Sequence, residues 1–121
     1  MAYDNYSMVF AEKLDLTTDA TGLTSELDLK GKHLCGILVG SSDWTAASLT
    51  LMVSPTSGGT FYPVHSSSGE VSRVGAGETY FTLNEEEVRG LRFIKVRSGT
   101  SGTPVAQAAA RELYVFSRDI S

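Results

Sequence analysis

The chain has 121 residues, of which 41% are hydrophobic and 20% are charged, a length and balance typical of one folded domain and not of a disordered chain. Its formal net charge of -4 excludes nucleic acid as the main ligand, because an acidic protein repels phosphate. The longest apolar run, residues 34–39, is far shorter than the roughly 20 residues that cross a bilayer, so no membrane partner is predicted.

The first residues, 1–7, lack the alternation of a strand and are predicted to form an N-terminal arm before a single domain, residues 8–121. They show no basic segment followed by an apolar stretch, so no secretory signal is predicted. Two aromatic residues, Tyr3 and Tyr6, lie in this arm. Because aromatic residues are rare in solvated tails and frequent in interfaces, we expect the arm to contact either a neighbouring subunit or its own domain.

The rest of the chain alternates apolar and polar residues between closely spaced turns. Leu49, Leu51 and Val53 share one parity, while Thr50 and Met52 take the other, which is the period of two of a half-buried strand. Short strands between Gly-rich and Ser-rich turns indicate an all-β antiparallel sandwich of eight to nine strands. The predicted strands lie near residues 8–16, 23–30, 33–40, 46–54, 60–65, 70–74, 78–83, 91–98 and 112–118.

Three segments carry more specific expectations about the sandwich. Residues 33–40 are apolar at both parities, which predicts a strand in the middle of a sheet with both of its faces covered. Residues 52–64 predict a hairpin around a Pro and Gly-Gly turn. Because Pro63 lacks an amide donor, residues 61–64 are expected at a sheet edge or beside a bulge. In residues 84–90, Asn84, Glu87 and Gly90 match the cap, capping-box and terminating positions of one helical turn that crosses between sheets.

Residue types that carry chemistry near neutral pH are few. His33, His65 and the single cysteine, Cys35, are scattered along the chain, and an isolated cysteine among apolar residues predicts a buried, inert thiol. Two separate histidines with one cysteine do not complete a zinc shell. We therefore predict no enzyme activity, no catalytic or metal-ligating residues and no cofactor, and leave open a calcium ion at a strand-end loop.

Residues with a predicted role in partner binding lie at two places. Trp44, in a polar connection, either covers the end of the core, which we favour, or is exposed to a ligand. If Ile94 and Val96 face the core, then Phe93, Lys95 and Arg97 share the outer face. This outer face suits an acidic partner protein, and it is equally consistent with a solvated sheet face.

Two further expectations concern assembly. The loop over residues 98–110 is long for so small a domain, so we predict either a functional, partner-ordered segment or plain flexibility. A small domain without disulfides gains stability by association. Met52, predicted to face outward, offers a contact for that association, and we predict a homo-oligomer, with a trimer favoured.

Two segments carry a family resemblance. Ser54-Pro-Thr-Ser-Gly-Gly-Thr-Phe-Tyr-Pro-Val64, and the segment from Gly90-Leu-Arg-Phe-Ile-Lys through Ser-Gly-Thr to Pro-Val-Ala-Gln-Ala, resemble small virion proteins of tailed bacteriophages, over about residues 34–116. The resemblance implies a β-sandwich of jelly-roll type that acts in the virion. It implies a capsid decoration (cement) protein bound to the major capsid protein, or a tail accessory protein bound to other virion subunits.

The last two predicted strands also resemble those of galactose-binding-like jelly rolls, in which loops at one end of the sandwich hold sugar. This resemblance implies a carbohydrate-binding module as the alternative function. In that alternative, Trp44 is the aromatic residue placed to stack on a sugar ring.

Overall fold

The structure is a computed structural model, and it describes residues 9–119, which form eleven strands and one short helix. The predicted arm, with Tyr3 and Tyr6, lies outside the described residues. The elements in chain order are β1 (Val9–Leu16), β2 (Leu27–Asp28), β3 (His33–Val39), β4 (Ser48–Ser54), β5 (Tyr62–Pro63), β6 (His65–Ser66), β7 (Gly69–Glu70), β8 (Ser72–Val74), β9 (Thr79–Thr82), α1 (Glu85–Val88), β10 (Phe93–Ser98) and β11 (Arg111–Arg118).

Two antiparallel sheets form the sandwich. The four-stranded sheet has the order β1-β11-β3-β9, and the five-stranded sheet has the order β2-β10-β4-β5 with β8 also paired to β4. Strands β1, β2, β3 and β4 alternate between the two sheets, and β8, β9, β10 and β11 do the same on the way back. This wrapping of eight strands around one core is the jelly-roll topology, so the expected fold class is confirmed.

The core lies between the inner faces of the two sheets and is made of leucine, isoleucine and valine. Leu16, Ile94, Val96 and Leu113 are fully buried at its centre. Each comes from a strand in which every second residue points inward, so the alternation in the sequence is the direct cause of the core. Burying an aliphatic side chain contributes about 1.5–3 kcal/mol each.

The predicted strand count was wrong: residues 9–119 contain eleven strands and not eight or nine, because residues 60–74 form four short strands and not two. The predicted strand over residues 23–30 is regular only at Leu27–Asp28. It is interrupted because the Thr24 hydroxyl accepts the Val96 amide, 3.0 Å away, in place of a backbone carbonyl. A side chain that competes for a ladder hydrogen bond in this way ends the regular strand.

The hairpin and the central strand are confirmed. Met52 pairs with Pro63 across β4 and β5, and β5 lies at the sheet edge. β3 lies between β11 and β9, as predicted. Within residues 9–119 the second sheet covers only its inner face, and Leu38 lies on its outer face, so the expectation of two covered faces is wrong. A register shift in the β3–β11 pairing falls where Phe116 pairs with Gly36 and the next residue pairs with Leu34, so Cys35 is the extra residue of a β-bulge.

The helical turn is confirmed, and it helps to close one side of the sandwich. Asn84 donates its backbone N–H to the Glu87 carboxylate, 2.9 Å away, and Gly90 ends the turn with φ +78. Glu87 also pairs with Arg73 of β8, with 2.5 Å between Oε1 and Nη2, and Arg73 donates to the Thr82 carbonyl of β9. Arg73 therefore joins the edges of the two sheets.

This closure predicts a pH dependence of stability. The Arg73 hydrogen bonds hold the pKa of Glu87 below its usual value of 4.5. A carboxyl whose pKa is lower when folded contributes stability that is complete above its unfolded pKa and is lost as the pH falls through its folded pKa. We expect Arg73→Met to have a lower free energy of unfolding than the wild type at pH 7, and this difference to narrow as the pH falls below 4.5, measured by urea denaturation. Part of the difference should persist, because Arg73 also donates to the Thr82 and Ser72 carbonyls. A difference that does not change between pH 7 and acid would contradict a role for the Glu87 carboxylate.

Candidate interaction surfaces

The outer face of the five-stranded sheet is largely covered by the chain itself. Arg97 points outward from β10 but is only 5% exposed. Its Nη2 lies 2.5 Å from Oε2 of Glu70, and its Nε donates to the Thr50 hydroxyl at 3.0 Å. The Ser101 amide also donates to Glu70, so the 98–103 turn closes over this ion pair. The expected exposure of Arg97 is therefore wrong, because its guanidinium is buried in an ion pair with Glu70.

Phe93 and Lys95 do share this outer face, as predicted. Both are half-buried. The Lys95 ammonium lies 4.6 Å from the ring centroid of Phe61, while the ring of Phe93 lies under the guanidinium of Arg92, which pairs with Asp28. The basic residues are thus already partnered locally, which makes the face less suited to an acidic partner, and the role of Phe93 and Lys95 in partner binding stays a prediction.

Trp44 covers one end of the sandwich. Its indole packs against the core, and its Nε1–H donates to the Ala47 carbonyl at 3.0 Å. A Cβ atom at Gly75 would lie 2.8 Å from the indole Cε2, so the glycine is what lets the chain pass this close to the ring. The favoured interpretation, that Trp44 packs over the core, is confirmed. The ring is half-buried, and its role in partner binding stays a prediction.

The long loop after β10 is fixed by one buried side chain that the sequence analysis did not single out. Gln107 is 2% exposed; its Oε1 accepts from the Thr45 amide and Arg111 Nε, and its Nε2 donates to the Thr45 carbonyl and to the Ser98 hydroxyl, at 2.8–3.0 Å. Both polar atoms of the Gln107 amide, Oε1 and Nε2, therefore make two hydrogen bonds each. The loop is therefore anchored to the rest of the domain by Gln107, through hydrogen bonds within the chain.

Cys35 lines a cavity of about 370 Å³ at the edge of the four-stranded sheet, together with His33, Tyr80, Glu85 and Arg118. The expectation of a buried thiol is wrong, because the bulge leaves Cys35 half-exposed. Burial of part of the side chain still raises the pKa of the thiol above its usual value, and a protonated thiol is a poor nucleophile. His65 is exposed on β6, which pairs with β7 in a separate two-stranded sheet.

The outer face of the four-stranded sheet is different in character. Side chains that point outward from β1, β11, β3 and β9 form an apolar area that we call the open face; it consists of Ala11, Leu38, Tyr80, Tyr114 and Phe116. Tyr80 is 43% exposed. Its ring meets that of Phe116 edge to face, with centroids 5.1 Å apart, and lies over Gly36, where a Cβ atom would be 2.5 Å from Tyr80 Cζ. Glycine at 36 is therefore required for this aromatic arrangement.

The open face was missed in the sequence, although a signal for it is present. In residues 112–118, Leu113 and Val115 alternate with Tyr114 and Phe116. The middle of β11 is therefore apolar on both sides of the sheet. A strand that is apolar on both sides has either a second layer of its own chain or a partner over it.

Other features of the described residues bear on function. No helix within residues 9–119 is long and apolar enough to span a membrane. In the same residues, no three His, Cys, Asp or Glu side chains come together in a way that could hold a metal ion, and each buried side-chain nitrogen or oxygen has a hydrogen-bond partner. The described part of the chain thus defines a jelly-roll module whose distinctive surface features are the open face and the cavity beside it.

The comparison with solved structures finds a similar fold in a phage-derived protein. The fold is similar to that of the crystal structure of the SPBc2 prophage-derived protein YomS, with a TM-score of 0.50 and 12% sequence identity, covering 91% of this chain and 96% of that chain. At this identity the likeness is one of fold. No protein-family model matches the chain, and no curated protein matches its sequence.

Proposed function

We propose that this protein is a non-enzymatic structural component of the virion of a tailed phage, most specifically a capsid decoration protein that binds the major capsid shell. The observation that supports the proposal most is that a jelly roll expected from a resemblance to phage virion proteins also has the fold of a prophage-derived protein over nearly its full length. A tail accessory role rests on the same observation and is the second candidate.

Three structural features favour binding over catalysis. The charged side chains Arg97, Glu70, Arg73 and Glu87 are engaged in ion pairs that join strands and loops. The raised pKa of Cys35 disfavours nucleophilic attack. The open face presents exposed and half-buried apolar side chains at the surface. The carbohydrate-binding alternative depended on Trp44, and the ring of this residue is packed against the core.

The experiment compares phage particles assembled with and without this chain. Purified protein added to particles that lack it should bind heads saturably and raise the temperature at which the heads release DNA, because a ligand of the native shell stabilises it by mass action. Saturable binding to isolated tails alone would support the tail role. No binding to heads or tails would overturn the virion proposal.

The N-terminal residues give a second test of how the protein holds its partner. Tyr3 and Tyr6 lie outside the described residues, and their role in binding stays a prediction. If they contact the particle, deleting residues 2–6 should leave the melting temperature unchanged and weaken binding by about ten-fold or more, since buried aromatic residues dominate many interfaces. If the deletion lowers the melting temperature while the folded fraction binds as before, these residues belong to their own domain instead.

A further inference from the structure

The two outer faces of the sandwich differ in how they are covered. On the five-stranded sheet, Glu70 and the 98–103 turn close over Arg97. On the four-stranded sheet, Ala11 and Tyr80 of the open face are exposed, Tyr80 to 43%, while Leu38, Tyr114 and Phe116 are half-buried beside them. Val9, at the border of the face, is 63% exposed. An aromatic face of this kind is a candidate for contact with another protein surface.

The strand register arranges the open face in rows across the sheet. Phe116 lies between Ala11 on one side and Gly36 on the other, and Tyr114 lies between Lys13 and Leu38. The Tyr80 ring fills the space over Gly36 and supports Phe116 through the edge-to-face contact. The small, exposed Ala11 lies on the other side of Phe116. The centre of the face is therefore a preorganised apolar surface, which lowers the entropy cost of binding.

The charges at the two ends of this face are opposite. Along β11 the outward side chains run Glu112, Tyr114, Phe116, Arg118, so an acid and a base are separated by six residues, or about 20 Å. Asp15 lies opposite Glu112 at the acidic end, and Lys13 lies within 4 Å of both carboxylates. His33 lies opposite Arg118 at the basic end. If a second β11 strand lies over the first in the opposite direction, each acidic end therefore faces a basic end.

We propose that the open face binds a second copy of this chain across a two-fold axis. With the two β11 strands antiparallel, Glu112 of each copy faces Arg118 of the other, and Tyr114 of each copy packs against Phe116 of the other. Such a contact is isologous and has the geometry of two stacked sheets, which pack about 10 Å apart. It gives a dimer in place of the trimer favoured by the sequence, and it does not depend on the virion role.

The test measures dimerisation of the full chain by sedimentation velocity at micromolar concentration. It compares the wild type with two single charge reversals and with the double variant that combines them. Glu112→Arg and Arg118→Glu each convert two attractive contacts of the two-fold interface into repulsive ones, so each single variant should weaken dimerisation by at least ten-fold. The double variant restores opposite charges across the axis and should recover most of that loss. Glu86→Arg, an exposed charge reversal on α1, is the matched control and should dimerise like the wild type.

Several results would overturn the proposal. The proposal is wrong if the wild-type chain is monomeric at ~100 µM or forms a trimer. It is also wrong if the chain forms a dimer that neither single charge reversal weakens. A wild-type monomer that dimerises after deletion of residues 2–6 would assign the open face to the chain's own N-terminal residues. Melting temperatures of all variants establish that each is folded, and because purified protein alone is used, the outcome is separate from that of the particle-binding experiment.

Discussion

Arg97→Met should lower the free energy of unfolding by about 3–5 kcal/mol, the usual cost of removing one partner from a buried ion pair. The variant leaves the Glu70 carboxylate, whose side chain is 15% exposed, without its cation. It also removes the donor to the Thr50 hydroxyl. The 98–103 turn should loosen as well, because the Ser101 amide is held by the same carboxylate.

Urea denaturation measures this loss, and Lys95→Met is the matched control. Lys95 lies two residues earlier on the same face of the same strand, and its ammonium contacts the ring of Phe61, so the control should cost about 1 kcal/mol or less. The double variant Arg97→Met with Glu70→Leu should recover much of the loss, since an apolar pair often replaces a buried ion pair without penalty. Equal costs for Arg97→Met and Lys95→Met would contradict the account of this face.

Gln107→Ala should destabilise the protein by about 3 kcal/mol, because each buried polar group left without a partner costs about 1–3 kcal/mol. The substitution orphans the Thr45 amide, the Ser98 hydroxyl and the Arg111 Nε–H together. The loop over residues 98–110 should then lose its anchor. Faster proteolysis within the loop, together with a lower denaturation midpoint, is the expected result.

The control for this prediction lies in the same loop. Thr103 is exposed, and Thr103→Ala should change the free energy of unfolding by less than about 0.5 kcal/mol, as is usual for surface positions. If Gln107→Ala proved as mild as Thr103→Ala, water would be replacing the Gln107 amide, and the loop would not depend on it.

Local patterns in the sequence predicted most of the framework. The alternation of Leu49, Leu51 and Val53 located β4, the two-sided apolarity of residues 33–40 located a central strand, and Asn84 with Glu87 located the helical turn. Each of these signals acts within a few residues, where the period of the chain and its capping groups determine the conformation. The strands within residues 60–74 were not predicted correctly, because each is only two or three residues long and shows no clear alternation.

Local sequence patterns could not predict contacts between residues that are far apart in the chain. Arg97 looked like an exposed cation because its partner, Glu70, is 27 positions away, and nothing in the local sequence joins them. The exposure of Cys35 follows from a bulge, which shifts a strand by one residue and leaves no mark in the alternation. Trp44 was placed correctly, since a large aromatic residue beside a strand end is most often buried there. The open face required the register of four strands to be known.

Quantitative peptide mass spectrometry of gradient-purified phage particles tests the proposed virion role without any variant. We expect to find the chain in the particles at a fixed ratio to the major capsid protein, and this ratio should survive a high-salt wash and repeated banding. A chain that is abundant in the lysate and absent from the purified particles would rule out a virion role.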